Sequence, residues 1–145
     1  MVPPTDGARR RRGWAIGLSV GAAVLVCAAG VGGAGGILAL AAQAVRDQAE
    51  SAVEDYLGAL KDEQYDQAYA LLCDPLQTRV SPNAFGAAES RLPTVTGFEV
   101  GSAILSEDIT VPATVEREDG TVRSVHYFVL QDRRTGELEV CGEAD

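Results

Sequence analysis

The hydrophobic and polar positions change rhythm twice along the chain. From Gly13 to Val45 no charged residue occurs over 33 positions, and Ser19 and Gln43 are the clearly polar side chains within them. As a helix this tract would be ~50 Å long at about 1.5 Å per residue, against a bilayer core of roughly 30 Å. It predicts a membrane-spanning helix over 13–42. From Val45 the apolar residues Val45, Ala49, Ala52, Val53, Tyr56, Leu57 and Leu60 recur at three- and four-residue spacing, the signature of an amphipathic helix. "KDEQ" interrupts it, and Tyr65, Ala68, Tyr69 and Leu72 predict a second, shorter helix stopped at Asp74-Pro75. Ser81-Pro82 supplies an N-cap and a first-turn proline for a third, to about Arg91.

Residues 97–141 read as strands. "GFEVGSAIL" alternates, with Phe98, Val100, Ser102 and Ile104 on one face, and "ITVPATVERED" follows. Asp119-Gly120 is a strong hairpin signal, with "TVRSVHYFVLQ" returning across it. "DRRTG" turns into "ELEVC". Pro112 inside the second strand predicts an edge position or a bulge. Helices followed by antiparallel strands define an α+β class: a transmembrane helix, then three helices packed on a curved antiparallel sheet of about four strands.

Charge sets the topology. Arg9, Arg10, Arg11 and Arg12 abut the apolar tract, whereas Arg46 beyond it is followed by Asp47, Glu50, Glu54 and Asp55. Basic flanks stay cytoplasmic, so residues 1–12 form an inner tail, Trp14 an interfacial anchor, and residues 43–145 an extracytoplasmic domain. A cleaved signal peptide has an apolar core of roughly 7–15 residues, which this tract exceeds, although Ala39-Leu40-Ala41 and Ala42-Gln43-Ala44 have the small-residue pattern of a cleavage end. Val26 and the depth of the tract argue against lipidation at Cys27. Gly13, Gly17 and Gly21 repeat at the four-residue spacing that lets helices approach closely in lipid. They offer a homodimer face, unless the spacing is the chance product of a Gly- and Ala-rich tract.

Of the other cysteines, Cys73 ends the second predicted helix and Cys141 lies near the end of the last strand. Outside the cytoplasm two such residues are expected to pair, two free buried thiols being the alternative. Residues 46–145 hold 8 basic and 20 acidic side chains, net −12, which repels nucleic acid and anionic headgroups. No phosphate loop, zinc motif or calcium loop occurs, so no cofactor, metal or catalytic set is assigned.

"YLGALKDEQYDQAYALLCDPLQTRVSP", followed far downstream by "GELEVCG", resembles small actinobacterial membrane-anchored proteins whose outer domains are nuclear-transport-factor-like, close to the lumazine-binding-like and SnoaL-like cystatin-like cones. The likeness covers about 48–142 and departs at Leu138, where relatives commonly carry tryptophan. It implies a cone-shaped domain and a Cys73–Cys141 bridge. Enzymes of this fold use an Asp or His base and a tyrosine donor in the cone, for which Asp55, Tyr56, Tyr65, Tyr69 and His126 are the candidates here. Tyr56, Tyr69 and His126 are the expected pocket, while each also fits a packing or rim role. A cone filled by Phe85, Phe98 and Phe128 would instead favour binding by surface. The expectation is a membrane-anchored, non-enzymatic binding or interaction module of the cell envelope, partnered by the membrane and other envelope proteins. The alternative is a small-ligand-binding or isomerase-like enzyme.

Overall fold

The computed structural model describes residues 38–144. The chain divides into two units between Ala42 and Gln43. Of the first, residues 38–42 are described and are helical. No helix among the described residues is long and apolar enough to cross a membrane. The basic tail, Gly13, Gly17, Gly21, Cys27 and most of the predicted span lie outside the described residues.

The second unit is α+β, with helices packed on a five-stranded antiparallel sheet. Its first helix, α1, runs to residue 61 and is followed by α2 (Tyr65–Ala70), α3 (Asp74–Arg79) and α4 (Pro82–Glu89). The strands are β1 (Val95–Val100), β2 (Ile104–Leu105), β3 (Ile109–Arg117), β4 (Val122–Gln131) and β5 (Leu138–Ala144), in the order β1-β3-β4-β5, with β2 also on β3.

α1 buries the stripe its periodicity foretold. Ala49, Val53, Tyr56, Leu57 and Leu60 join Leu72, Phe85, Val111, Ala113, Val115, Val125, Tyr127, Val129, Leu138 and Val140 in one core. Removing a side chain the size of Leu57 from water stabilises the fold by about 1.5–3 kcal/mol. The "KDEQ" interruption is a helix stop. Glu63 takes φ 56 while its N–H and that of Gln64 close on the Leu60 and Ala59 carbonyls at 3.1 and 2.8 Å. That is the left-handed cap glycine usually fills.

Asp74-Pro75 corrects one expectation. It opens α3 instead of only ending α2, because proline is tolerated in the first turn, where its missing N–H has no helical partner to lose. Helical segments after the apolar tract therefore number four: the predicted three and α3. The Ser81 cap holds, its hydroxyl accepting from the Ala84 N–H at 3.3 Å. The Asp119-Gly120 hairpin also holds, with Gly120 at φ 80 and the Asp119 carboxylate accepting from the Thr121 N–H and hydroxyl at 3.0 and 2.7 Å.

"GFEVGSAIL" makes two strands, not one, which is why the sheet has five. β1 pairs with the end of β3 and β2 with its start, separated by Gly101–Ala103. Across the break the register changes: Phe98 and Val100 pack on the core, but Ala103 is buried while Ser102 and Ile104 are exposed. Pro112 explains the break. Its carbonyl accepts from the Gly101 N–H at 2.8 Å. The N and O of one strand residue point the same way, so the ring nitrogen faces this interruption and no ladder bond with β4 is lost. The proline thus lies in a central strand and not at an edge, opposite the break between β1 and β2.

The break is sealed from the helical layer. The Glu50 carboxylate on α1 accepts the Ala103 N–H at 2.8 Å, the donor that a continuous strand would have paired. Glu50→Ala is expected to lower unfolding free energy by about 1–3 kcal/mol, and Glu50→Gln, which keeps an acceptor oxygen, by less. Denaturant titration of both variants checks this; equal losses would mean that the hydrogen bond contributes nothing.

Candidate functional site

Strand alternation sorts the side chains onto two faces. Register places Val111, Ala113 and Val115 of β3 beside Tyr127, Val125 and Arg123 of β4, on the inner face against the helices. Thr110, Pro112, Thr114 and Glu116 lie beside Phe128, His126, Ser124 and Val122 on the outer face. Each face offers one candidate site.

The inner candidate is built around two tyrosines. Tyr56 of α1 meets Tyr127 of β4 edge to face, ring centres 5.9 Å apart and planes at 67°. Both rings are buried, and among the described residues neither hydroxyl bonds a protein group, its oxygen keeping some access to solvent. Burial pushes both phenols up, Tyr127 to about 12, with the negative charges of Glu89 on Tyr56 and of Glu143 on Tyr127 adding to it and Arg117 opposing. They remain protonated at any physiological pH and so can each donate a hydrogen bond. The Glu89 carboxyl at the end of α4 is likewise raised, chiefly by desolvation, with Arg117 pulling it down and Glu143 pushing it up. Arg117 is itself held, donating to the Pro93 carbonyl at 2.7 Å. The group can donate two hydrogen bonds and hold one desolvated carboxyl.

The expected pocket set is not brought together. Tyr56 is inside. Tyr69 is a latch: its hydroxyl lies 2.8 Å from the Val80 carbonyl and 3.0 Å from that of Gln77. The Gln77 amide donates back to the Tyr69 and Leu72 carbonyls at 3.0 and 2.8 Å. This closes the α2–α4 corner, where Tyr69 also packs on Phe85 at 5.8 Å. His126 is exposed on the opposite face of the sheet, beside Pro112. Asp55 faces solvent and Tyr65 is half-buried against the core. Phe85 and Phe98 pack inside the core, but Phe128 falls on the outer face, because it shares the parity of His126.

The outer candidate is a depression of about 410 Å³ lined by Glu99, Gly101, Pro112, Thr114, Ser124 and His126. Glu99, Thr114 and Ser124 stand in one cross-strand row, with Pro112 and His126 in the next. Short side chains at Gly101, Thr114 and Ser124 make the dip. Val122 is 60% and Leu130 37% exposed on the same face, and Phe128 is half-buried.

Cys73 and Cys141 form a disulfide, with Cα atoms 5.2 Å apart. Such bonds persist in oxidising compartments. Among the described residues no three of His, Cys, Asp and Glu gather as a metal-ligand set. No family model and no curated protein matches the chain.

Sequence reasoning missed Tyr127, Glu89, Arg117 and Glu143, although the alternation that placed His126 on one face also assigns Tyr127 to the other. Glu89 and Arg117 meet only through the tertiary fold.

The raised Glu89 carboxyl fixes a sign. Its ionised form is disfavoured in the fold, so the penalty is absent while the group is protonated in both states and grows as pH rises above its ordinary 4.5. Glu89→Gln is expected to raise the melting temperature at neutral pH and to match the parent protein below the carboxylate range. A variant less stable than the parent at neutral pH would show that the charge is stabilising.

Proposed function

We propose that residues 43–145 are a non-enzymatic interaction module of the cell envelope, nuclear-transport-factor-like in fold, held outside the membrane by the apolar segment over 13–42. The single observation that carries this reading is the outer sheet face. Val122 and Leu130 are exposed on it and Phe128 is only half-covered, while the volume between helices and sheet is occupied by Val53, Leu57, Leu72, Val111, Val129 and Val140. Separate apolar side chains exposed around a shallow polar depression give the mixed surface typical of a non-obligate contact site. Tethering restricts the domain to a thin layer at the membrane, so weak contacts with neighbouring envelope proteins are made at high effective concentration.

A second reading, a small-ligand-binding or isomerase-like role, draws on the two unpartnered hydroxyls of Tyr56 and Tyr127 beside the raised Glu89 carboxyl. Donors of this kind serve carbonyl or enolate ligands. Filling the space beneath them with aliphatic side chains favours the first reading.

Photoreactive benzoylphenylalanine placed at Val122 or Leu130 of the full-length protein in its native envelope tests the proposal. Discrete crosslinked species are expected from these positions and not from Glu54 or Asp55, which are exposed on α1. Crosslinking of equal yield from both surfaces, or from α1 alone, would reject the outer face as the contact.

A further inference from the structure

On the strands, charge as well as hydrophobicity is divided between the two faces. Register places Arg117 opposite Val95 and Arg123 opposite Val115, on the helix side. The outer-face strand positions carry Glu99, Glu116 and Glu139 and neither lysine nor arginine. Arg133 and Arg134 stand at the β4–β5 turn, where Arg134 lies 3.9 Å from the Asp74 carboxylate and 3.6 Å from that of Asp132. At the far end of the sheet Glu116 leans across β1, since a Cβ added at Gly97 would meet its Oε2 at 3.2 Å. Glu99 is two residues along the same strand face. Glu99 therefore lines the 410 Å³ depression, the Glu116 carboxylate stands just beyond it over Gly97 on the same face, and Val122 is the cross-strand neighbour of Glu116.

This charge pattern selects the occupant. A second copy would bring identical glutamates against one another, between domains that each carry net −12 over residues 46–145; like charges across an interface oppose association. An extended segment places every second side chain on one side, so it can set a long cationic side chain into the dip and an aliphatic one beside it. We infer that the outer sheet face docks an extended segment of a partner protein through an arginine or lysine side chain seated in this depression, its charge received by Glu99 and Glu116. The inference rests on the outer face being the contact surface and adds the chemistry of the partner.

The test uses the full-length protein in uncharged maltoside micelles and a fluorescent, end-blocked hexapeptide alternating valine with arginine. Its counterpart carries citrulline, which keeps the shape of arginine and removes the charge. Binding of the arginine peptide is expected at low salt, with about tenfold loss on changing to citrulline or on making the double substitution Glu99→Gln with Glu116→Gln. Ser124→Trp, which fills the depression without altering charge, is expected to weaken binding similarly. Glu54→Gln with Asp55→Asn, an equal charge change on α1, is expected to leave it intact. Equal binding of the citrulline peptide, or an equal loss from the α1 substitutions, would overturn the inference, as would self-association of the protein through this face in sedimentation. Site-specific crosslinks from Val122 without any arginine preference would remove the inference and leave the outer-face reading standing; loss of both would remove both.

Discussion

Both backbone groups of Val140 are committed at the outer edge of β5. Its carbonyl accepts the Cys73 N–H at 2.9 Å and its N–H donates to the Leu71 carbonyl at 3.1 Å, and the next residue, Cys141, is bonded through sulfur to Cys73. At this one point the chain between α2 and α3 serves as a short parallel partner for the last strand. A sheet edge is thereby covered, and the helical half of the domain is fixed to the last strand of the sheet. Joining residues 68 apart, the disulfide contributes about 4 kcal/mol on a chain-entropy account. For a domain of about 100 residues, whose whole stability is typically 5–15 kcal/mol, that is a large share.

The rest of the arrangement follows from this strap. With β5 fixed, the inner faces of β3, β4 and β5 close on α1, and Leu57, Leu72 and Val140 are almost wholly buried. Among the described residues one face of the sheet has no helical cover, and the side chains there are short, carboxylate-bearing or singly apolar. Tyr69 and Gln77 spend their polar groups on closing the α2–α4 corner, which removes Tyr69 from ligand chemistry. The Tyr56–Tyr127 pair keeps its hydroxyls free, but the space beneath them is filled. The proposed contact is therefore placed on the surface of the sheet.

Much of this was legible in the sequence. The three- and four-residue spacing from Val45 to Leu60 defined α1 and its buried stripe, Ser81-Pro82 its later counterpart, and Asp119-Gly120 the main hairpin, because each is a local signal. The cysteine pair followed from compartment logic. Less legible were features decided by tertiary contacts. Nothing near Asp74-Pro75 distinguishes a helix stop from a stop that starts another helix. The break between β1 and β2 depends on Pro112, ten or so residues away, and on Glu50 in a different element. The grouping of Tyr56, Tyr69 and His126 failed on parity and on partners: His126 falls on the strand face away from α1, and Tyr69 finds carbonyls at Gln77 and Val80 that no spacing rule anticipates. Glu89 and Arg117 are ordinary surface residues until the fold sets them beside two phenols.

The Cys73–Cys141 disulfide ties the helical half of the domain to its last strand, and such a bond implies an oxidising compartment. The most direct measurement is mass spectrometry of the protein taken from its native envelope under thiol-alkylating conditions without reductant. Peptides containing Cys73 and Cys141 should be recovered linked and unalkylated, becoming labelled only after reduction. Recovery of both residues singly alkylated before reduction would contradict the claim.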